Sequence, residues 1–101
     1  MKKLLFIGEA VTLAHVSRLS TLANSLENHE IHFACDSRYK ELLVSNSWNY
    51  WQINSQKPES FLKRVHSGKT LFSKDILKKY ISEEVEILKK IEPDLVIGDL
   101  R

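Results

Sequence analysis

The feature that most constrains this chain is a pair of short, unbroken apolar runs, KLLFIG (3 to 8) near its start and DLVIGD (94 to 99) near its end. A strand with one wet face alternates apolar and polar residues, whereas a run without alternation suits a strand covered on both faces, as in a parallel sheet flanked by helices. Between the runs the period changes. From His15 onward Val16, Leu19, Leu22, Ala23 and Leu26 recur at helical spacing, with Ser20, Asn24 and Glu27 on the other face. EIHFAC (30 to 35) reads as a second strand, and DSRYKELLVSN (36 to 46) as a short helix with Asp36 or Ser37 as its N-cap. NYWQI (49 to 53) reads as a third strand. The polar stretch 54 to 75, which holds Pro58 and Gly68, shows no sustained period and predicts an irregular excursion with at most a helical turn around Phe61 to Val65. Ile76, Leu77, Tyr80, Ile81, Val85, Leu88 and Ile91 then predict a long amphipathic helix ended by Pro93, since the residue before a proline disfavours the helical conformation.

Strands alternating with helices imply parallel pairing through right-handed crossovers, hence an α/β fold with a doubly wound, Rossmann-like sheet of four strands in order 3-2-1-4. With 101 residues, 43% of them hydrophobic, the chain has material for one core, so residues 1 to 101 read as a single domain. In such sheets ligands bind beyond the carboxyl ends of strands beside the topological switch point, which singles out the loops after strands one and four. Those loops carry His15 and Asp99.

Composition excludes several partners. Fifteen basic and thirteen acidic side chains leave a formal charge of +2, too weak a bias for nucleic acid or an anionic membrane surface. Cys35 is the sole cysteine, so no internal disulfide forms and a small buried hydrophobe is its expected role. MKKLLFIGEA imitates a signal peptide, but its apolar run is short and lacks a cleavage site, so it reads as a strand with no membrane span, and the expected location is cytoplasmic. No dinucleotide fingerprint follows strand one, where Gly8 stands alone before Glu9. Gly68-Lys69-Thr70 resembles the tail of a P-loop, but the required first glycine falls on Lys63 and no strand precedes it. His29, His32 and His66 lack metal-ligand spacing, so neither a metal nor a bound cofactor is expected. Trp48, Trp51, Phe61 and Phe72 could line a cleft, but aromatics beside a third strand belong more often to the core.

The run FIGEAVTLAHVSRLSTLANSLENHEIHFACDSRY resembles the opening of GT-B glycosyltransferases of the UDP-glycosyltransferase superfamily, close to the bacterial macrolide and antibiotic glycosyltransferases. Ala14-His15-Val16 stands for their G-H-V, Leu19 to Leu26 for the L-x-x-L-A-x-x-L helix, and His29-Glu30-Ile31 with Phe33-Ala34 for G-H-E-V-x-F-A. EPDLVIGDLR is similar to their P-D-L-V-I-G-D-F-R segment. The chain departs from the pattern at Ala14, where a glycine is usual, and at Arg18, where a proline is usual.

The resemblance implies the acceptor-binding part of an inverting glycosyltransferase, an incomplete N-terminal GT-B domain without its donor domain and inactive alone. It implies that His15 takes a proton from an acceptor hydroxyl and that Asp99 orients and charges the histidine. Gly8, Glu9, Thr12 and Arg101 are expected on the acceptor side, while the nucleotide-sugar donor is a substrate held by the missing domain. The helix N-terminus would disfavour imidazolium and keep the base free. Two alternatives stay open: His15 as a polar helix-start residue with Asp99 as a cap, and the whole chain as a non-catalytic Rossmann-like module. Such a module would bind a partner or its own copy, and strand four is expected to be an exposed edge suited to self-association.

Overall fold

The computed structural model describes residues 2–26, 28–44 and 46–99. Four strands, β1 (Lys3–Gly8), β2 (Glu30–Cys35), β3 (Asn49–Gln52) and β4 (Leu95–Asp99), form one sheet in order β3-β2-β1-β4. Each neighbouring pair is parallel. The predicted order and orientation are thus observed.

The helices are α1 (Leu13–Asn24), α2 (Lys40–Val44), α3 (Pro58–Ser67) and α4 (Lys74–Ile91), with a single 3-10 turn at Ser37–Tyr39 before α2. Asp36 caps that turn by accepting from the Arg38 N–H, as the sequence suggested. Because strand side chains alternate, the unbroken runs feed two cores at once. Leu4 and Phe6 of β1 join Ile31 and Phe33 of β2 under Val16, Leu19 and Ala23 of α1, with Leu43 of α2 beside them. Leu5 and Ile7 turn the other way, to Ala34, Ile53 and, on α4, Ile87 and Ile91.

Three expectations need correction. The stretch read as an irregular excursion contains α3, ten residues long rather than one turn at Phe61 to Val65. Its clearest signals are terminal. Pro58 opens it, and Gly68 closes it in the left-handed region at φ 71°, letting the Lys69 N–H reach the Arg64 carbonyl at 3.1 Å. No residue of α3 is buried, and its apolar positions, Phe61, Leu62 and Val65, span little more than one turn. The glycine of the apparent P-loop tail is therefore a helix C-cap. Second, α1 begins at Leu13, before His15. Third, β4 is not buried on both faces. Leu95 and Val96 are 52% and 44% exposed, because β4 is the last strand of the sheet and has a neighbour on one side only among the described residues.

The aromatics beside β3 are packed as core. Trp48 stacks on Phe33 at 5.6 Å, and Trp51 lies against the α4-side cluster. Phe61 and Phe72 form a tilted chain with Tyr80 that ties α3 to α4. No helix among the described residues is long and apolar enough to cross a membrane.

Candidate active site

The register of the sheet builds the site. Gly8 pairs with Asp99 in the β1–β4 ladder, and the Glu9 N–H donates to the Asp99 carbonyl at 3.2 Å, so both strands end at the same level. Residues 9 to 12 then turn the chain into α1, whose buried residues Val16, Leu19 and Ala23 fix its rotation over the sheet. That rotation places His15, in the first turn, over the end of β4.

His15 Nδ1 lies 3.0 Å from Asp99 Oδ1 although the residues are 84 apart in sequence. Both side chains are 18% exposed. A third residue completes the cluster: Arg18 forks the same carboxylate, Nε to Oδ2 at 2.8 Å and Nη2 to Oδ1 at 2.8 Å. Its Nη2 also lies 2.9 Å from His15 Nδ1. Hydrogen bonds from Arg18, opposed by partial desolvation, hold the Asp99 carboxyl below the usual carboxylate range. The same contact raises the Arg18 guanidinium above its ordinary value. Asp99 is thus an ionised acceptor at neutral pH. The sequence reading noted Arg18 only as a departure from the family pattern. The available signal was its spacing: three residues after His15 on a helix, it shares that residue's face.

The other candidates are placed differently. Gly8 is buried, and a Cβ there would lie 3.3 Å from Leu19 Cδ1 and 3.4 Å from Val16 Cγ2, so the missing side chain lets α1 seat on β1. Glu9 is wholly buried, with Oε1 accepting the Ala10 N–H at 2.9 Å and Oε2 without a hydrogen-bond partner among the described residues. Neither side of this pair faces solvent. Thr12 is exposed at the N-cap of α1 and forms no side-chain cap bond. Arg101 lies outside the described residues.

A second arginine was not anticipated. Arg38 donates to the carbonyls of Ala10 (2.8 Å), Ser55 (3.0 Å) and Gln56 (3.0 Å) while holding Asp36. It knits the loops that follow β1, β2 and β3, satisfying carbonyls that would otherwise be orphaned at the ends of the sheet. A cavity of about 400 Å³ opens nearby between the loop after β3 and α4, lined by Ser55, Gln56, Tyr80 and Glu83 among others. It includes neither His15 nor Asp99, and its polar groups are mutually engaged: the Gln56 N–H donates to the Tyr80 hydroxyl and Asn54 donates to Glu83. Chemistry therefore points to the dyad, not to this hollow.

Two further histidines, His29 and His32, have local partners. His29 Nδ1 accepts the Lys2 N–H at 3.1 Å. His32 accepts from Trp51 Nε1 at 2.9 Å and meets Glu30 at 2.6 Å, which fixes its proton on Nε2 and draws the Glu30 carboxyl below its usual value.

Comparison with known proteins gives the following. The chain is 41% identical over 102 aligned residues to a "PGL/p-HBAD biosynthesis rhamnosyltransferase" of Mycobacterium tuberculosis, covering 99% of this chain and 22% of that protein. It is 40% identical to a "PGL/p-HBAD biosynthesis glycosyltransferase" of the same species, with 99% and 24% covered. It is also 40% identical to an "Inactive PGL/p-HBAD biosynthesis glycosyltransferase" of Mycobacterium bovis, with 99% and 28% covered. The chain thus spans about a quarter of the length of these relatives. No family model matches it, and no solved structure matches it.

Proposed function

We propose that this chain is the acceptor-side part of a GT-B glycosyltransferase that moves a sugar from a nucleotide sugar to an acceptor hydroxyl with inversion. The observation that carries the reading is the His15–Asp99 contact at the carboxyl ends of adjacent strands. Similarity to named glycosyltransferases supports the class, but one of those relatives is named inactive, so similarity alone does not decide activity.

In the reaction His15 Nε2 takes the acceptor proton as the acceptor oxygen attacks the anomeric carbon and the nucleoside diphosphate departs from the opposite face. Asp99 accepts a hydrogen bond from Nδ1–H, which sets the tautomer with a free Nε2 and offsets the positive charge that develops on the ring. The donor belongs to a second domain, the setting is cytoplasmic, and no metal or cofactor takes part.

The test is sugar transfer by a polypeptide that joins this chain to its donor half. His15→Ala should remove most turnover while leaving donor binding nearly unchanged, and Asp99→Asn should cost less, though still orders of magnitude. Near-normal rates in both variants would refute the mechanism. The 101-residue chain by itself should show no transfer, because holding both reactants supplies much of such catalysis, and measurable turnover would contradict the division of roles. A second reading, a non-catalytic module that binds a partner or its own copy, is favoured only by the open edge at β4.

A further inference from the structure

The contacts of His15 cannot all be satisfied at once. A guanidinium nitrogen only donates and a carboxylate only accepts, whereas a neutral imidazole donates from one nitrogen and accepts at the other. Nδ1 lies between one of each, 2.9 Å from Arg18 Nη2 and 3.0 Å from Asp99 Oδ1. With the proton on Nδ1 the ring donates to Asp99, faces the cation donor to donor, and keeps the Nε2 lone pair a base needs. With the proton on Nε2 the ring accepts from Arg18, faces Asp99 Oδ1 acceptor to acceptor, and Nε2 has no lone pair to use.

Both bonds involve a charged partner, so type does not choose between them. Geometry does. Asp99 already receives two bonds from Arg18 at 2.8 Å, one on each oxygen, so a third donor adds least there. Nδ1, by contrast, has no other donor among the described residues, and Nη2, with two N–H groups, lies within reach of both Nδ1 at 2.9 Å and Oδ1 at 2.8 Å, so its positive charge offsets the repulsion between these two acceptors.

We propose that Arg18 is a positioning residue that sets which ring nitrogen of His15 carries the proton, holding the ring as Nε2–H while its Nη2 rests against Nδ1. The tautomer rests on the geometry alone; its meaning for catalysis rests on the function proposed above. His15 becomes a base when the guanidinium leaves Nδ1, the ring proton then moving by exchange with water from Nε2 to Nδ1, where it bonds Asp99. The Arg18 side chain is 62% exposed, so its outer end has room to move.

The experiment is nitrogen-15 NMR of the histidine rings in the 101-residue chain at a pH where His15 is neutral, with no sugar transfer involved. The wild type should show His15 mainly as Nε2–H, and Arg18→Met should convert it mainly to Nδ1–H, with the amide spectrum reporting that the variant is folded. A wild-type ring already in the Nδ1–H form overturns the proposal whether or not the variant folds, and so does a folded Arg18→Met ring that stays Nε2–H. Failure of the functional reading is distinct: it is seen as retained turnover in His15→Ala, which leaves the tautomer result standing.

Discussion

At Asp99 the charge state follows from its neighbours, and the sign of its pH dependence follows from the charge state. Its folded-state pKa lies below the usual carboxylate range, foremost through Arg18. Such a group contributes stability that is fully present above the unfolded carboxylate value of about 3.9 and is lost as pH falls through the folded value. Urea unfolding of the wild-type chain should therefore weaken in that acid window, and Asp99→Asn should flatten that part of the profile; equal acid slopes would show that the fork contributes nothing. The effect should be small, since the guanidinium side of the pair is solvent-screened. Cys35 makes a second residue-scale prediction. Burial pushes its thiol up to about 12, so the native chain should resist alkylation at pH 8 and react only on unfolding. Prompt labelling of folded protein would contradict the packing of β2.

At the scale of elements, glycines separate two kinds of constraint. At Gly68 nothing lies within 4 Å of an added Cβ, so Gly68→Ala meets only the left-handed backbone at φ 71° and should cost about 1 kcal/mol, read as a lower urea midpoint. At Gly8 the backbone is ordinary and the obstacle is Leu19 and Val16, so Gly8→Ala should cost about 1–3 kcal/mol and tilt the helix that carries His15. Loss of transfer activity beyond the loss of stability would show that tilt. The same contrast explains what could be read in advance. β1 and β2 were legible because burial on both faces keeps their residues apolar, and α4 because its apolar residues recur at helical spacing. Helix α3 was not, because caps and an aromatic bridge at Phe61 and Phe72 hold it without a buried face. His15 and Asp99 were legible as a pair through the resemblance and strand adjacency. Arg18 was not, since the family pattern places a proline there, and a surface arginine becomes informative only when its partner across the sheet is known.

At the scale of the molecule, the sheet ends in β3 on one side and β4 on the other among the described residues, and the β4 side is the more apolar. A compact domain of this length has a radius of gyration of about 13 Å, against 13.8 Å here with extents of 45 × 25 × 17 Å, as suits a sheet covered unevenly. The β4 edge shows apolar residues on both faces. Val96 pairs with Leu5 and shares its α4 side, while Leu95 pairs with Leu4 on the α1 side. Separately, α4 carries a stripe, Leu77, Ile81, Val85 and Leu88, spaced four, four and three residues apart and each at least 37% exposed. An unpaired strand with apolar flanks is a template for another strand, and lysine on such an edge is the common protection against it. The isolated chain should therefore self-associate as concentration rises, seen as a growing sedimentation coefficient. Val96→Lys should suppress this by placing a charge on the edge without touching either core, and Ile81→Lys should suppress it less, because the helix stripe offers burial but no backbone bonds. A strictly monomeric wild type at high concentration would show that the edge is silent. Association lost in Ile81→Lys but kept in Val96→Lys would move the contact from β4 to α4.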